Sequence, residues 1–541
     1  MKVPLLNCSR RPVREQLRLA VEQILGWYSE SRYIWLIRIV SLIAISAGVV
    51  ARVLHFGSIP PGLNQDEAAT GYEAWSLLHY GIDRNGLSWP VHLIAFGNGG
   101  NASFPYMAMP FVSFGLTPFT ARLPMLVSAL ASLPLVWFIS RKLFDEKAAW
   151  TATSVVALSP WHIMLSRWAL DCNVLPFLFL CGLALLVASV SANRKLFWLI
   201  AACAMLGVSV YSYGAAYLAV PLFVLSSLMA CVAGGIFTAR QAFIGAAVFG
   251  ITVLPIVLFV LVNLFQWDSI IIGGITIPRL PSPPRFATQL ADGPLAHIGQ
   301  FLNLVATQRD GLTYNVTDPY GVLYSSIFFI LAIGLVAAIP IFVARRRWPL
   351  ISLFISFWVI ASIPIGIVQA PNINRINLLL MGLVVAAGLA ISAIDRWLRG
   401  FLIIGLLSLL VPFGFFVRDY FTTQSERIAV DFFDGLVPAL EYAQSTTAEG
   451  DMICVSGQIN MPQVHTLFTE PRDPREYLRT VLYIDPTAQF RPVASYGRYT
   501  FGLERCDFEQ ARIVVARKGE SVSAPFVKVT SFQLFDVYAE H

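Results

Sequence analysis

Two adjacent carboxylates, Asp66 and Glu67, stand in the stretch PPGLNQDEAATGYEAW (60–75), just beyond the first long apolar segment of the chain. Ala69, Tyr72, Trp75, Ser76 and Tyr80 follow at three- and four-residue spacing, which predicts a short amphipathic helix along a membrane surface with Asp66 near its N-terminus. An acid there can cap the helix and complement its dipole. Equally, it can serve as a general base, because partial desolvation raises a carboxylate pKa toward useful values. A second cluster, SPWHIMLSRWALDCN (159–173), sets Arg167 and Asp171 four residues apart, on one face of a helical turn. A structural ion pair or an arginine snorkelling to headgroups would explain it. So would a guanidinium fork gripping a phosphate with Asp171 orienting it, in which case Arg167 faces a cavity beside Asp66. Arg375, in QAPNINRINLLLMG, opens an apolar run, where a charge needs water, a partner or a ligand, or snorkels at the membrane edge. His92 and His162 are isolated and have no metal-site spacing, so packing or hydrogen-bonding roles are expected. Carboxylate oxygens of Asp66 and Glu67 suit Mg2+ or Mn2+, but neighbours on a helix point apart, which favours one acid acting as base and no required cofactor.

The elements that position these residues are read from composition. Of 541 residues 56% are hydrophobic and only 13% charged, and mean hydropathy is +0.66, far from soluble globular values. The chain reads as a mainly α polytopic membrane protein in three parts. Residues 1–33 form a basic head, in which Arg10, Arg11, Arg14 and Arg18 adjoin a stripe of Leu17, Val21, Ile24, Leu25 and Tyr28, suited to an anionic cytoplasmic leaflet. The first apolar run starts too late for a cleavable signal and has no small-residue cleavage pattern, so it is read as an anchor. Residues 34–417 form the transmembrane region, with outer loops 55–118 and 265–320, and residues 418–541 a small soluble α/β domain.

About 20 apolar residues cross the hydrocarbon layer. Spans are expected near 34–54, 119–140, 148–164, 172–191, 195–213, 215–235, 241–264, 321–343, 348–368, 375–394 and 400–417, eleven in all. SFPYMAMPFVSFG (103–115) is too short and proline-interrupted to cross and is read as juxtamembrane. The basic connections 141–147, 193–195, 238–240, 344–347 and 395–399 then share the cytoplasmic side with the head. The loop of Asp66, residues 166–173, 211–217, 265–320 and 369–375, and the tail, share the other. The excess of six positive charges belongs mostly to the cytoplasmic loops, and no nucleic-acid partner is implied. Cys172, Cys181, Cys203 and Cys231 read as small hydrophobes. Cys454 and Cys506 lie in the outer tail, where an oxidising compartment could join them.

The motifs D-E-A-x-x-x-Y-x-A-W from Asp66, G-x-D-x-x-G-x-x-x-P (Gly81, Asp83, Gly86, Pro90), R-L-P (122–124) and S-P-W-H-I-x-x-S-R (159–167) together resemble bacterial members of the protein mannosyltransferase-like branch of the GT-C membrane glycosyltransferases, which includes the lipid A aminoarabinose transferases. The likeness covers about 34–417 and is strongest in 60–175; beyond, topology and a Pro-Asn-x-Asn-Arg turn carry it. It implies transfer of a sugar from a polyprenyl-phosphate donor to an acceptor hydroxyl, on protein, glycan or lipid, at the outer face of the cytoplasmic (inner) membrane. It further implies Asp66 as catalytic carboxylate with Glu67 supporting it, Arg167 and Arg375 on the donor phosphate, and Tyr72, Asp83, Asp171 and Asn372 in support. Many relatives carry a lysine or K-P-P-L-like stretch where this chain reads GNGGNASFPYMAMP, so donor-phosphate contacts or acceptor choice differ here. One displacement assisted by one base predicts inversion at the sugar carbon. A transporter or flippase of a lipid-linked saccharide is the rival, although no internal repeat supports it, and a non-catalytic homologue would share the fold.

Overall fold

The computed structural model describes residues 13–97, 99–283, 297–324, 327, 330, 333–334, 353–488 and 490–540, with backbone only for 13–29. Arg10, Arg11, the side chains of the head's stripe, the connection 344–347 and most of the expected span 321–343 lie outside the described residues.

In chain order the helices are α1 (Val13–Val53), α2 (Gln65–Tyr80), α3 (Ser103–Val112), α4 (Pro118–Leu143), α5 (Glu146–Leu158), α6 (Pro160–Leu165), α7 (Leu175–Ser191), α8 (Lys195–Ser209), α9 (Ala216–Ala233), α10 (Ala239–Leu264), α11 (Ile298–Thr307), α12 (Leu353–Val368), α13 (Asn377–Asp395) and α14 (Phe401–Asp419). Among the described residues eight helices are long and apolar enough to cross a membrane, in α1, α4, α7, α8, α9, α10, α13 and α14. Helix α1 continues through residue 33 without a break, so the head and the first span are one helix. The juxtamembrane stretch is α3, ten residues long.

The expected span 148–164 is not one helix. Pro160 lacks an N–H and drives its predecessor out of the α region. Ser159 accordingly has ψ 122°, closing α5 and capping α6 through its hydroxyl, with Pro160 at the first helical position. Helix α5 packs against α1, α4 and α13. Small residues let the backbones approach: a Cβ on Gly48 of α1 would sit 2.2 Å from the Ala157 carbonyl oxygen, and one on Gly388 of α13 would sit 2.3 Å from Ala152 Cα.

The two ends of this bundle differ. At one, Lys147 Nζ pairs with Glu30 at 2.8 Å, Arg38 with Glu146, Arg396 with Asp145, Arg399 with Glu30, and Tyr33 bonds Asp395. The basic connections 141–147 and 395–399 thus meet the start of the first span. The far ends of α1 and α5 meet through Arg52, whose guanidinium donates to the carbonyls of Val156 and Ala157 and to His162 Nδ1 at 2.7 Å. His162 therefore has the hydrogen-bonding role expected of it.

The tail holds α15 (Ser425–Asp431), α16 (Leu436–Thr446), α17 (Pro462–Thr469), α18 (Pro474–Thr480) and a seven-stranded sheet. Its strands are β5 (Met452–Val455), β6 (Leu482–Tyr483), β7 (Val493–Tyr496), β8 (Tyr499–Phe501), β9 (Ala511–Arg517), β10 (Phe526–Ser531) and β11 (Phe535–Glu540), numbered after two hairpins, β1 (His92–Leu93) with β2 (Gly100–Asn101) and β3 (Ile270–Ile272) with β4 (Ile275–Ile277). The order is β10-β11-β9-β5-β8-β7-β6, with central β5 parallel to β8 and β9 and the other pairs antiparallel. Central strands covered on both faces read as apolar runs, as MICV and IVVA do. Cys454 of β5 and Cys506 form a disulfide. The core of the sheet includes Tyr72, contributed by α2.

Candidate active site

Where α1 stops, its last carbonyls need donors; buried Arg167 supplies them, and buried Arg122 serves the loop that follows. Arg167 gives all five of its N–H groups to backbone oxygens: Ala51 and Arg52 from Nη1, Leu54 and His55 from Nη2, and Ile59 from Nε, at 2.8–3.1 Å. Arg122 gives Nη1 to Gly57 and Pro60 and Nη2 to Gly62. Cationic donors at a helix C-terminus also complement its dipole. The chain between α1 and α2 is thereby fixed, and with it the start of α2.

Glu67 completes this framework. Its Oε1 accepts Arg122 Nε and the Ala169 N–H, both at 2.8 Å, and its Oε2 accepts Arg122 Nη2 at 2.8 Å and the Asn64 N–H at 3.1 Å. The last bond, with the Asn64 side chain at the start of α2, forms a capping box. The capping expected of Asp66 is thus carried by Asn64 and Glu67. Glu67, expected to support Asp66, is fully buried and its two oxygens are taken by these four donors, so it does not reach the cavity itself. The expectation for Arg167 is corrected, since it has no donor left for a phosphate and does not pair with Asp171. Helix α6 ends at Leu165, so Arg167 and Asp171 share no helical turn.

Asp66 instead lines a cavity of about 300 Å³. On α2 the cavity-lining residues are Asp66, Ala69, Thr70 and Glu73, one helical face at i, i+3, i+4 and i+7. Four further segments expected on the outer side contribute: Trp168, Leu170, Asp171 and Cys172, then Tyr213 and Tyr217, Leu312 and Tyr314, and Gln369, Asn372, Asn374 and Arg375, whereas among the described residues the tail adds no lining residue. Asp171, Asn372 and Arg375 are therefore brought together with Asp66. Asp171 Oδ2 accepts the backbone N–H and the amide of Asn101, the latter at 2.6 Å. Arg375 is held by its own turn, its N–H donating to Asn372 Oδ1 at 2.8 Å and its Nη1 to the Ala370 carbonyl. Among the described residues its remaining guanidinium N–H groups have no acceptor. Asp310 anchors the turn, accepting the Ile373 N–H at 3.0 Å and the Asn315 amide at 2.7 Å.

Two supporting residues lie elsewhere. Tyr72 points from α2 into the tail and donates to the Arg472 carbonyl at 2.8 Å. Asp83 closes its own turn by accepting the N–H groups of Asn85 and Leu87; burial, reinforced by the charge of Glu73, pushes its carboxyl up to about 8. Helix α2 is also not a surface helix, for it packs against α3, α4 and α17. Sequence reading missed Glu73, a buried acid with Arg84 Nε 3.6 Å from its Oε1, although the seven-residue step from Asp66 announces it. It also missed Asn101, Asp310 and the roles of Arg122 and of His92, which lines the cavity; burial pulls the His92 imidazole down to about 4, leaving it neutral. Among the described residues no three His, Cys, Asp or Glu side chains gather as a metal cluster.

Residues 103–259 match the model of the dolichyl-phosphate-mannose-protein mannosyltransferase family. No curated protein matches the chain in sequence. Its fold is similar to that of ArnT from Cupriavidus metallidurans bound to undecaprenyl phosphate, at 15% identity over 93% of this chain and 97% of that one, with a TM-score of 0.52. The apo state of the same protein gives 14% identity over 96% and 98%, with a TM-score of 0.50. The Archaeoglobus fulgidus oligosaccharyltransferase in complex with Zn and sulfate is similar at 14% identity, over 88% of this chain and 68% of that one, with a TM-score of 0.50. The chain is thus a multi-span membrane protein with a GT-C-like fold, and the resemblance carried by its motifs extends to its architecture.

Proposed function

We propose that this protein is an inverting glycosyltransferase that moves a sugar from a polyprenyl-phosphate donor to an acceptor hydroxyl, with the cavity at the outer face of the cytoplasmic membrane. One observation carries the reading: Asp66, Asp171 and the donor-bearing Arg375 converge from three distant segments on one cavity. A carboxylate is needed where a hydroxyl loses its proton, and a cation where a phosphate gains charge. Asp66 takes the acceptor proton as the acceptor oxygen bonds to the anomeric carbon. The bond from that carbon to the phosphate oxygen breaks on the opposite face, and polyprenyl phosphate leaves against Arg375, steadied by Asn372 and Asp310. Asp171, held by Asn101, shapes the wall opposite.

The lipid tail of such a donor stays in the bilayer, which suits a cavity at one end of a bundle. The clustering of basic connections at the other end supports a cytoplasmic N-terminus and an extracytoplasmic tail. Base and arginine suffice for the step, so no metal is required, and EDTA should leave the rate unchanged; recovery of an EDTA-treated enzyme by Mg2+ or Mn2+ would place a cation between Asp66 and Asp171.

The test is purified protein with labelled undecaprenyl-phosphate sugars, wild type beside Asp66→Asn. Sugar transfer or slow donor hydrolysis is expected from the wild type and is lost in the variant while donor binding survives. Undiminished turnover in Asp66→Asn would remove Asp66 as the base.

A further inference from the structure

Helix α2 has two occupied faces. One carries Asp66, Ala69, Thr70 and Glu73 to the cavity. The other is claimed by the tail: Tyr72 lies in the core of the sheet domain with Phe433, Leu436 and Leu467, Ala68 packs in a cluster with Val464 and Phe468 of α17, and a Cβ on Gly71 would meet Phe468 Cε2 at 2.6 Å. The loop before α2 is held as well, the Leu63 N–H donating to the Phe432 carbonyl at 2.7 Å. So is the opposite cavity wall, where the Arg491 N–H donates to the Phe96 carbonyl at 3.0 Å. The Arg375 turn, by contrast, is anchored by Asp310 of the outer loop 265–320, whose hydrogen bonds to the tail, among the described residues, reach only its helical start, as at Gln424 and Asp431, and not its sheet domain.

We infer that the C-terminal domain is a positioning element of the active site: through Gly71, Tyr72 and Phe468 it sets where α2 presents Asp66, while donor-phosphate binding at Arg375 is independent of it. The inference rests on the proposed transfer reaction, and it assigns the tail a part in turnover that an inert cap would not have. Displacing a reacting group by about 1 Å costs on the order of 100-fold in rate. Close packing of Gly71 on a ring makes such a displacement accessible with one methyl group.

The test uses full-length protein and undecaprenyl-phosphate mannose, with glucose and aminoarabinose donors in parallel, reading kcat and donor affinity separately. Gly71 is helical, so Ala there should otherwise favour the helix; its Cβ would also meet Leu116 Cδ1 at 3.1 Å, so it is a loss reversed by a change at Phe468 that reports the contact with the tail. Gly71→Ala is expected to lower kcat at least tenfold with donor affinity within twofold of wild type. Adding Phe468→Leu, which removes the ring atoms that clash, should restore kcat to within threefold of Phe468→Leu alone. Full activity in Gly71→Ala, parallel loss of donor affinity, or no recovery in the double variant would each overturn the inference. Failure of the transfer reading shows separately, as wild type inert toward every donor or Asp66→Asn undiminished. Hydrogen exchange then decides the positional part: α2 amides should exchange faster in Gly71→Ala and return in the double variant, and unchanged exchange would overturn it.

Discussion

Replacing Glu67 by Gln separates its structural role from that of its neighbour Asp66. All four partners of Glu67 are donors: Arg122 Nε and the Ala169 N–H on Oε1, Arg122 Nη2 and the Asn64 N–H on Oε2. A Gln side chain has one oxygen, so whichever way its amide turns, the NH2 group faces two donors. The substitution also leaves Arg122, fully buried, without its counter-ion. Breaking one side of a buried ion pair costs about 3–5 kcal/mol. With an unfolding entropy of about 2.1 cal/mol/K per residue, that lowers the thermal midpoint by roughly 3–4 °C. Asp66→Asn, on the half-buried cavity face, should leave the midpoint within about 1 °C and reduce turnover by on the order of 100- to 10,000-fold, the range of a lost general base. Thermal unfolding in detergent, followed by intrinsic fluorescence and paired with donor turnover, reads both quantities on the same samples. The reasoning is refuted if Glu67→Gln melts with the wild type while losing turnover as completely as Asp66→Asn, because Glu67 would then take part in the chemistry.

Arg375→Ala should weaken donor-phosphate binding by about 1.5–3 kcal/mol, roughly 10- to 150-fold, the value of hydrogen bonds to a charged group, with little change in melting; equal affinity in a binding assay with undecaprenyl phosphate would exclude it as the phosphate ligand. Gly388→Val drives a side chain against the α5 backbone at Ala152, and overpacking of this kind costs about 1–3 kcal/mol, to be seen as a lower midpoint without a change in donor affinity. In the tail, burial pushes the imidazole of His465 down to about 3, against 6.5 in an unfolded chain, so the folded state holds it neutral where the unfolded state protonates. Stability from this group is complete above pH 6.5 and falls by about 1.4 kcal/mol per unit as pH drops from 6.5 toward 3. A urea series over that window should show the slope, and His465→Phe should flatten it.

The helices and the end of the bundle that carries the chemistry were legible in the sequence, because both follow from local quantities. Apolar length sets a span, although the break at Pro160 and the capping box of Asn64 and Glu67 were not read from the sequence, and the alternation of basic connections sorted the loops so that 166–173, 211–217, 265–320 and 369–375 all contribute to the cavity of Asp66. The motif S-P-W-H-I-x-x-S-R and the R-L-P triplet were visible too, but not what they do: Arg167 serves backbone carbonyls at and just beyond the end of α1, and Arg122 serves the loop carbonyls of Gly57, Pro60 and Gly62 and the Glu67 carboxylate. Glu73 was within reach, at seven residues from Asp66, once one face of α2 was chosen. What only the tertiary structure decided is which of two adjacent acids meets the cavity. Neighbours on a helix point about 100° apart, and nothing in DEAATGYEAW says which direction is open. Arg122, 55 residues away, and Ala169, 102 away, claim Glu67, and the tail claims Tyr72 some 400 residues on. With those directions filled, Asp66 faces the cavity.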